Sequence, residues 1–174
     1  MLPLINEIPE NEILKIKLIL FDFDGVFTNN YVIVDENGVE AVQCSRSDGI
    51  GLSLIKSIGI KTRVVSTEKN PVVSKRCQKL GIECSQGVDD KGKEIQNLAN
   101  MLKVNLNEIM FVGNDINDKP AFDIVGLPIG VRDSHSSIYS SIKYTTKNCG
   151  GNGCVREICD LFISMYEGKK NDVD

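Results

Sequence analysis

The chain is short of the residues on which several kinds of site depend. Its 174 residues include no tryptophan and a single histidine, and aromatic residues make up 6% of the total. One histidine excludes a multi-histidine metal site and makes histidine-based acid–base catalysis a poor expectation. The lone His135 is therefore predicted to be a solvated loop residue.

Long apolar runs and basic clusters are also missing. No apolar run approaches the roughly 20 residues that a helix needs to cross a bilayer, so no membrane span is expected. The formal net charge is -4, and without a basic stretch a nucleic-acid partner is not expected either. Hydrophobic content of 41% and charged content of 25% are ordinary for a globular domain. The length suits a single domain, 1–174.

The six cysteines contain no CxxC pair. Cys149, Cys154 and Cys159 recur every five residues, but zinc sites favour closer pairs, so a zinc site is not predicted there. Residues 1–11 carry no basic residue, unlike a secretory signal. We therefore expect reduced thiols in a cytoplasmic protein.

Strand and helix patterns alternate along the core of the chain, roughly 16–166. The predicted strands are 16–21, 61–66, 82–84, 109–112, 127–131 and 143–146. The predicted helices are 47–59, 71–81, 91–103, 119–125, 134–141 and 155–166. Such alternation predicts an α/β fold with a doubly wound, mostly parallel, Rossmann-like sheet. A leader, 1–14, is expected to pack on the surface, and a tail, 168–174, to be flexible.

A β-hairpin is predicted directly after the first strand. Asn37-Gly38 separates the apolar-rich runs 31–34 and 39–42, which is a strong hairpin signal. The helix after it is expected to bury an apolar face made of Ile50, Leu54, Ile55 and Ile58. Near the C-terminus, Gly150–Gly153 is expected to be a flexible loop or one that approaches a ligand.

Polar side chains follow three of the predicted strands. They are Asp22 and Asp24, then Ser66, then Asn114, Asp115 and Asp118. The carboxyl ends of parallel strands meet at one edge of a sheet, where α/β proteins bind ligands. Each set of polar residues alone could belong to a simple turn, but polar residues after three strands favour a ligand-binding site.

These residue types suit phosphoryl transfer. An aspartate can attack phosphorus and form an acyl phosphate, provided that a cation offsets the repulsion between two anions. Mg²⁺ prefers carboxylate, carbonyl and water oxygens and keeps positions open for phosphate. A second aspartate can act as general acid and base, while a hydroxyl and a lysine hold the other phosphate oxygens.

The motifs resemble those of the haloacid dehalogenase-like phosphatases. Asp22–Thr28 reads DFDGVFT, similar to the DxDGxxT first motif of that family. Ser66, Lys91 and the segment Gly113–Asp118 are similar to its second, third and fourth motifs. The resemblance covers roughly 16–166, and four motifs in order make it specific.

The resemblance implies a role for each matching residue. Asp22 would be the nucleophile and Asp24 the general acid and base, with Ser66 and Lys91 on the transferring phosphoryl group. Mg²⁺ would be held by Asp22, the Asp24 backbone carbonyl and one residue of the fourth motif. That residue is Asn114 or Asp115. Asp118 would orient Lys91 or begin the next helix, and Thr28 would lie beside the substrate.

Three further features resemble one small, capless group within that family. They are the hairpin in place of a cap domain, Arg46–Gly51 (RSDGIG), and Gly150–Glu157 (GGNGCVRE). The group includes 3-deoxy-D-manno-octulosonate (KDO) 8-phosphate phosphatase and phosphatases of nine-carbon sialic-type acids. The resemblance to this group implies a homotetramer in which neighbouring subunits close the active site. Arg156 would either reach a neighbour's active site or pair with acidic residues on its own helix.

Two departures from the group affect metal binding and specificity. Asn114 stands where the family often has aspartate, which keeps an oxygen ligand but loses a charge. Glu68 stands where the octulosonate enzymes have arginine, and with Lys79 it resembles the version that handles nine-carbon sugar acids. The predicted substrate is a phosphorylated 3-deoxy-2-keto sugar acid of eight or nine carbons. The alternatives are another small phosphate ester, or an inert assembly domain like the tail of animal acylneuraminate cytidylyltransferases.

Overall fold

A computed structural model describes residues 2–171 of the chain, with side chains to residue 168. The strands are β1 Leu18–Phe21, β2 Ile33–Val34, β3 Glu40–Ala41, β4 Lys61–Val65, β5 Glu83–Ser85, β6 Ile109–Gly113, β7 Leu127–Gly130 and β8 Tyr144–Thr145. The helices are α1 Glu10–Ile13, α2 Ser47–Ser57, α3 Val72–Leu80, α4 Lys91–Leu102, α5 Lys119–Phe122 and α6 Cys154–Asn171.

Six of the strands form one parallel sheet with β1 near its centre. Their order is β5-β4-β1-β6-β7-β8, and β1 pairs in parallel with β4 and β6. All four residues of β1 are buried, because helices cover both faces of the sheet. The chain leaves β1 toward β4 and later returns to its other side at β6. This reversal of strand order confirms the predicted doubly wound fold and opens a crevice at the carboxyl ends of β1 and β6.

Alternate residues of β1 feed two separate cores. Ile19 and Phe21 lie in the cluster that contains the buried faces of α2, α3 and α6. Leu18 and Leu20 lie in the cluster built with α4 and α5. The strand period of two therefore explains a three-layer domain in which a continuous apolar run serves both faces.

The predicted hairpin is present between β1 and α2. β2 pairs antiparallel with β3, and Gly38 takes the positive φ of 77° that the turn requires. Between β1 and α2 the described chain holds this hairpin and no further folded unit. The hairpin forms a sheet of its own, so it stands away from the parallel sheet.

The leader is not confined to the surface, contrary to our prediction. Ile5, Ile8 and Ile13 are buried in the core cluster. The Thr145 N–H donates to the Pro3 carbonyl oxygen at 2.9 Å, so the leader also covers the outer edge of the sheet at β8. The three isoleucines lie in or beside two short separate turns, Ile5–Glu7 and Glu10–Ile13, so no long periodic segment marked the buried side.

The predicted apolar face of α2 is correct at Ile55, which is buried, and at Ile58, which packs partly buried on the core. It is wrong at Ile50 and Leu54, which are 57% and 39% exposed, and it omits the buried Leu52. The reason is Gly51, where an added Cβ would lie 2.9 Å from Cys159 Cβ. Without a side chain there, α2 packs closely on α6, and that contact sets which side of α2 is buried.

The remaining differences concern the ends of elements. Serine-rich 134–141 forms only a 3-10 turn at Ser136–Ile138, as expected where hydroxyls compete with helical hydrogen bonding. The predicted helix 119–125 is shortened to α5. α6 continues past 166 to Asn171, and residues 172–174 of the predicted flexible tail lie outside the described residues. Among residues 2–171, no helix combines the length and apolar character that a bilayer crossing needs.

Candidate active site

A buried cluster of two carboxylates and one lysine lies at the carboxyl end of β1. Lys91 Nζ is 2.7 Å from Asp22 Oδ1 and 2.6 Å from Asp118 Oδ1. The side chains of Lys91 and Asp118 are 0% exposed. Asp22 enters from the end of β1, Lys91 from the first residue of α4, and Asp118 from the turn after β6. Three segments far apart in sequence thus meet where the strand-end rule predicted.

The charges of this cluster perturb one another. Burial, together with the nearby Asp118 carboxylate, raises the pKa of Asp22 to about 7, despite the opposing effect of Lys91. Burial alone would lower the pKa of Lys91, but the Asp22 and Asp118 carboxylates outweigh it and raise that pKa above its usual value. The cluster therefore has two potential negative charges and one positive charge in a desolvated place.

Asp24 lies at the open side of the cluster. Its pKa is raised by partial burial and by the Glu68 carboxylate, with Thr28 acting in the opposite direction. The Thr28 hydroxyl donates to Asp24 Oδ1 at 3.4 Å and accepts from the Gly25 N–H at 3.1 Å. Thr28 is fully buried, and these two bonds make its hydroxyl part of the loop that carries Asp24. Its predicted place beside the substrate stays a prediction.

Asn114 and Asp115 differ sharply in their surroundings. The Asn114 side chain lies against Gly25, where any Cβ would collide with it. Its Oδ1 is buried and has no hydrogen-bond partner among the described residues. Asp115 Oδ1 accepts the N–H of Ile116 at 2.7 Å, and that side chain is 42% exposed. Asn114 therefore points into the crevice, while Asp115 begins the next turn.

Asp118 joins the fourth motif to the lysine. Its Oδ2 accepts the N–H of Asn114 at 2.8 Å and of Asp115 at 3.3 Å. Its Oδ1 binds Lys91. A Cβ at Gly113 would strike this carboxylate, so glycine at the end of β6 makes the approach possible. One carboxylate thus orients both Lys91 and the backbone that carries Asn114.

Ser66 lies at the end of β4, next to β1 in the sheet. Ser66 is 1% exposed, and its hydroxyl accepts the N–H of Glu68 at 3.1 Å. The Glu68 carboxylate accepts the N–H groups of Lys69 and Asn70, which holds it beside the crevice. Glu68 also raises the pKa of Asp24, so its charge acts on that carboxyl, and its contact with substrate stays a prediction.

Two predicted residues are not brought to this cluster. Lys79 is exposed in the last turn of α3, and α3 leads away from the strand ends at which the site lies. Arg156 Nε donates to Asp160 Oδ1 at 2.7 Å on α6, which is the second of the two roles weighed for it. Substrate binding by Lys79 stays a prediction, as does the reach of Arg156 into a neighbouring subunit's site.

Asp133 is a strand-end carboxylate that the sequence did not single out. Its Oδ1 accepts the N–H of Gly150 at 2.9 Å and ties the Gly150–Gly153 loop to the end of β7. It follows a predicted strand just as Asp22 does, so the strand-end rule could have identified it.

Among residues 2–171 no group of three His, Cys, Asp or Glu side chains is suited to a metal ion. The oxygens that are present nevertheless fit a hard divalent cation. Asp22 supplies a carboxylate, and the unpartnered Oδ1 of Asn114 supplies a neutral oxygen close to Gly25. A ligand set completed by backbone carbonyl and water oxygens matches Mg²⁺ better than zinc, which prefers nitrogen and sulfur.

Comparisons with known proteins agree with this geometry. A haloacid dehalogenase-like hydrolase family model matches residues 61–158. The 3-deoxy-D-manno-octulosonate 8-phosphate phosphatase KdsC of Escherichia coli K12 is 31% identical over 159 residues, which are 91% of this chain and 84% of that protein.

Solved structures of similar proteins share the fold. The octulosonate phosphatase of Moraxella catarrhalis, solved with magnesium, phosphate and KDO, is 29% identical with a TM-score of 0.87, covering 98% of this chain and 99% of that one. The Yersinia pestis enzyme is 27% identical with a TM-score of 0.86, covering 91% and 86%. Since sequence and fold agree over most of its length, the chain belongs to the haloacid dehalogenase-like hydrolase family, alongside the octulosonate 8-phosphate phosphatases.

Proposed function

We propose that this phosphoric monoester hydrolase removes phosphate from a phosphorylated 3-deoxy-2-keto sugar acid through an aspartyl-phosphate on Asp22. The observation that carries the proposal is the buried Lys91, held between Asp22 and Asp118 at 2.7 and 2.6 Å. A fixed cation beside a carboxylate nucleophile lowers the cost of bringing a second anion to it. The similarity to KdsC enzymes supports the sugar-acid substrate.

Each residue then has a defined task. Asp22 attacks phosphorus, and the bond to the leaving oxygen breaks. Asp24, half-buried at the mouth, donates a proton to that oxygen and later takes one from the water that hydrolyses the acyl phosphate. Lys91 and the Ser66 hydroxyl bind the phosphoryl oxygens.

The cation in this proposal is Mg²⁺, held by Asp22, the Asp24 backbone carbonyl and Asn114. Asn114 is favoured over Asp115 because its Oδ1 is buried without a partner, while Asp115 caps its own turn. When bound, Mg²⁺ would neutralise charge on the phosphoryl oxygens. A magnesium-bound relative supports this choice, although a cobalt-bound relative also exists.

The eight- and nine-carbon acids remain the two candidate substrates. The first is supported by the KdsC relatives. The second is supported by Glu68, whose backbone hydrogen bonds hold a carboxylate beside Asp24. A carboxylate there accepts from hydroxyl or amide N–H groups and repels the acid group of a substrate.

A phosphate-release panel tests the substrate. With Mg²⁺, we expect KDO 8-phosphate or a nonulosonate 9-phosphate to be hydrolysed with a kcat/KM at least tenfold above that for glucose 6-phosphate and for nucleoside monophosphates. Glu68→Gln is the variant to compare with the wild type, because it keeps the shape of the Glu68 side chain and removes its negative charge. Preference for a nucleotide or another small ester would contradict the proposal, and absence of all hydrolysis would favour the inert assembly domain.

The hairpin supports the proposed homotetramer. Five apolar side chains on and beside it are exposed, namely Tyr31 at 76%, Val32 at 52%, Ile33 at 71%, Val34 at 56% and Val39 at 63%. An exposed apolar patch of this kind usually marks a contact with another chain. Neighbouring copies that cover the hairpin would also stand over the open mouth beside Asp24.

The expected consequence is that Ile33→Asp dissociates the assembly of 19.2 kDa chains. A charge placed in an apolar contact is strongly unfavourable, so sedimentation velocity should show mainly monomers. Met101→Asp is the control, because Met101 is 59% exposed on α4, away from the hairpin. A monomeric wild type, or equal dissociation of both variants, would contradict the proposal.

A further inference from the structure

We propose that Cys154 is a positioning residue: its buried thiol, bonded to the Val26 carbonyl oxygen, fixes the loop that carries Asp24. This inference rests on the proposed hydrolysis, in which that loop supplies the acid and base. Cys154 was one of three evenly spaced cysteines to which the sequence assigned no role.

The loop that follows Asp22 needs support from outside itself. It turns at Gly25, whose φ is 78°, and packs on one side against Asn114. Its internal backbone hydrogen bonds run from Val26, Phe27 and Thr28 to the Phe23 carbonyl oxygen, at 3.3, 2.8 and 3.3 Å, and the Thr28 hydroxyl adds bonds to Gly25 and Asp24. None of these bonds uses the Val26 carbonyl oxygen, which is left to be satisfied by another segment.

The beginning of α6 provides that support. The Gly151 N–H donates to the Val26 oxygen at 2.9 Å, and the Cys154 thiol donates to the same oxygen at 3.2 Å. At Gly150 and Gly151 an added Cβ would collide with the backbone of residues 25–29. The glycine loop, predicted as flexible or ligand-approaching, is thus pressed against the catalytic loop of its own chain.

The surroundings keep the Cys154 thiol in the form that can donate. Cys154 is 0% exposed, and burial together with the nearby Asp48 carboxylate raises its pKa well above the usual range. A thiol that stays protonated is a permanent, if weak, donor. Asp48 is 1% exposed, and where it is ionised its charge adds to the effect of burial in disfavouring the thiolate.

Cys159 provides a matched control on the same helix. It is also 0% exposed, and burial raises its pKa to about 12. Its side chain packs on Gly51 of α2, and it has no hydrogen bond to residues 23–30 in the described structure. Replacing either cysteine by alanine removes one sulfur from the same core, so only the bond to Val26 separates the two changes.

The experiment compares Cys154→Ala, Cys154→Ser and Cys159→Ala with the wild type. Cys154→Ala should lower kcat by about threefold to tenfold with little change in KM, the effect of losing one hydrogen bond that acts through the loop. Hydrogen–deuterium exchange should quicken in the peptide 23–30. Cys154→Ser, which restores a donor, should recover both properties, and Cys159→Ala should change neither.

The exchange measurement keeps this inference separable from the proposed reaction. If the wild type hydrolysed no ester of the panel, the proposed reaction would be ruled out. Hydrogen–deuterium exchange in residues 23–30 would still decide the role of Cys154. The inference is overturned if Cys154→Ala leaves exchange in 23–30 unchanged. It is equally overturned if Cys159→Ala has the same effect, or if Cys154→Ser behaves like Cys154→Ala.

Discussion

Asp22→Asn is expected to reduce phosphate release by about 10⁴-fold or more, because an amide cannot form the acyl phosphate. The fold should persist. Asparagine retains an oxygen that can accept from Lys91 and from the Phe23 N–H, which lies 2.7 Å from Asp22 Oδ1. Removing one of the two buried carboxylates leaves Lys91 paired with Asp118, so no buried charge loses its partner.

Two measurements decide this first prediction. Steady-state phosphate release compares Asp22→Asn with Asp123→Asn, an exposed aspartate at the end of α5 whose change should be neutral. Mass spectrometry of wild type quenched in acid during turnover should find one added phosphoryl group on the peptide with Asp22. Full activity of Asp22→Asn with Mg²⁺ present, or a phosphoryl group on another residue, would rule out Asp22 as the nucleophile.

The position of the site was predictable because it depends on topology. Asp22, Ser66 and Asn114 each follow an apolar strand, and parallel strands bring their carboxyl ends to one edge. The choice between Asn114 and Asp115 was not predictable. It depends on which side chain points into the crevice after Gly113, and that is set by the Asp118 carboxylate binding both backbone N–H groups.

Packing between helices was the least predictable feature. The sequence suggested that α2 buries Ile50 and Leu54. Hydrophobic periodicity considers only apolar side chains and takes no account of a glycine, which has no side chain and lets another helix approach. Gly51 overturns that inference at these two residues, because its lack of a Cβ lets Cys159 and Arg156 of α6 approach α2 closely. The same limit applies to Cys154, whose contact with Val26 joins positions 128 residues apart.

Lys91→Met is expected to lower the free energy of unfolding by about 3–5 kcal/mol at pH 8. Methionine fills a similar volume but leaves Asp22 and Asp118 as two buried carboxylates without a cation. Activity should be lost as well. In the wild type the pKa of Asp22 is about 7 in the folded state against its usual 3.8, so the folded protein binds more protons and stability falls as pH rises between these values.

The loss of Lys91 should steepen that pH dependence. Without the cation, the pKa of Asp22 rises further, so the loss of unfolding free energy in Lys91→Met, measured by urea unfolding, should be smaller at pH 6 than at pH 8. Adding Asp118→Asn restores the net charge of the cluster and should recover part of the loss. Lys93→Met is the control, because Lys93 lies two residues further along α4 and is 81% exposed, and its change should cost under about 0.5 kcal/mol. Equal stability of Lys91→Met and wild type at pH 8 would mean that Lys91 does not neutralise this cluster.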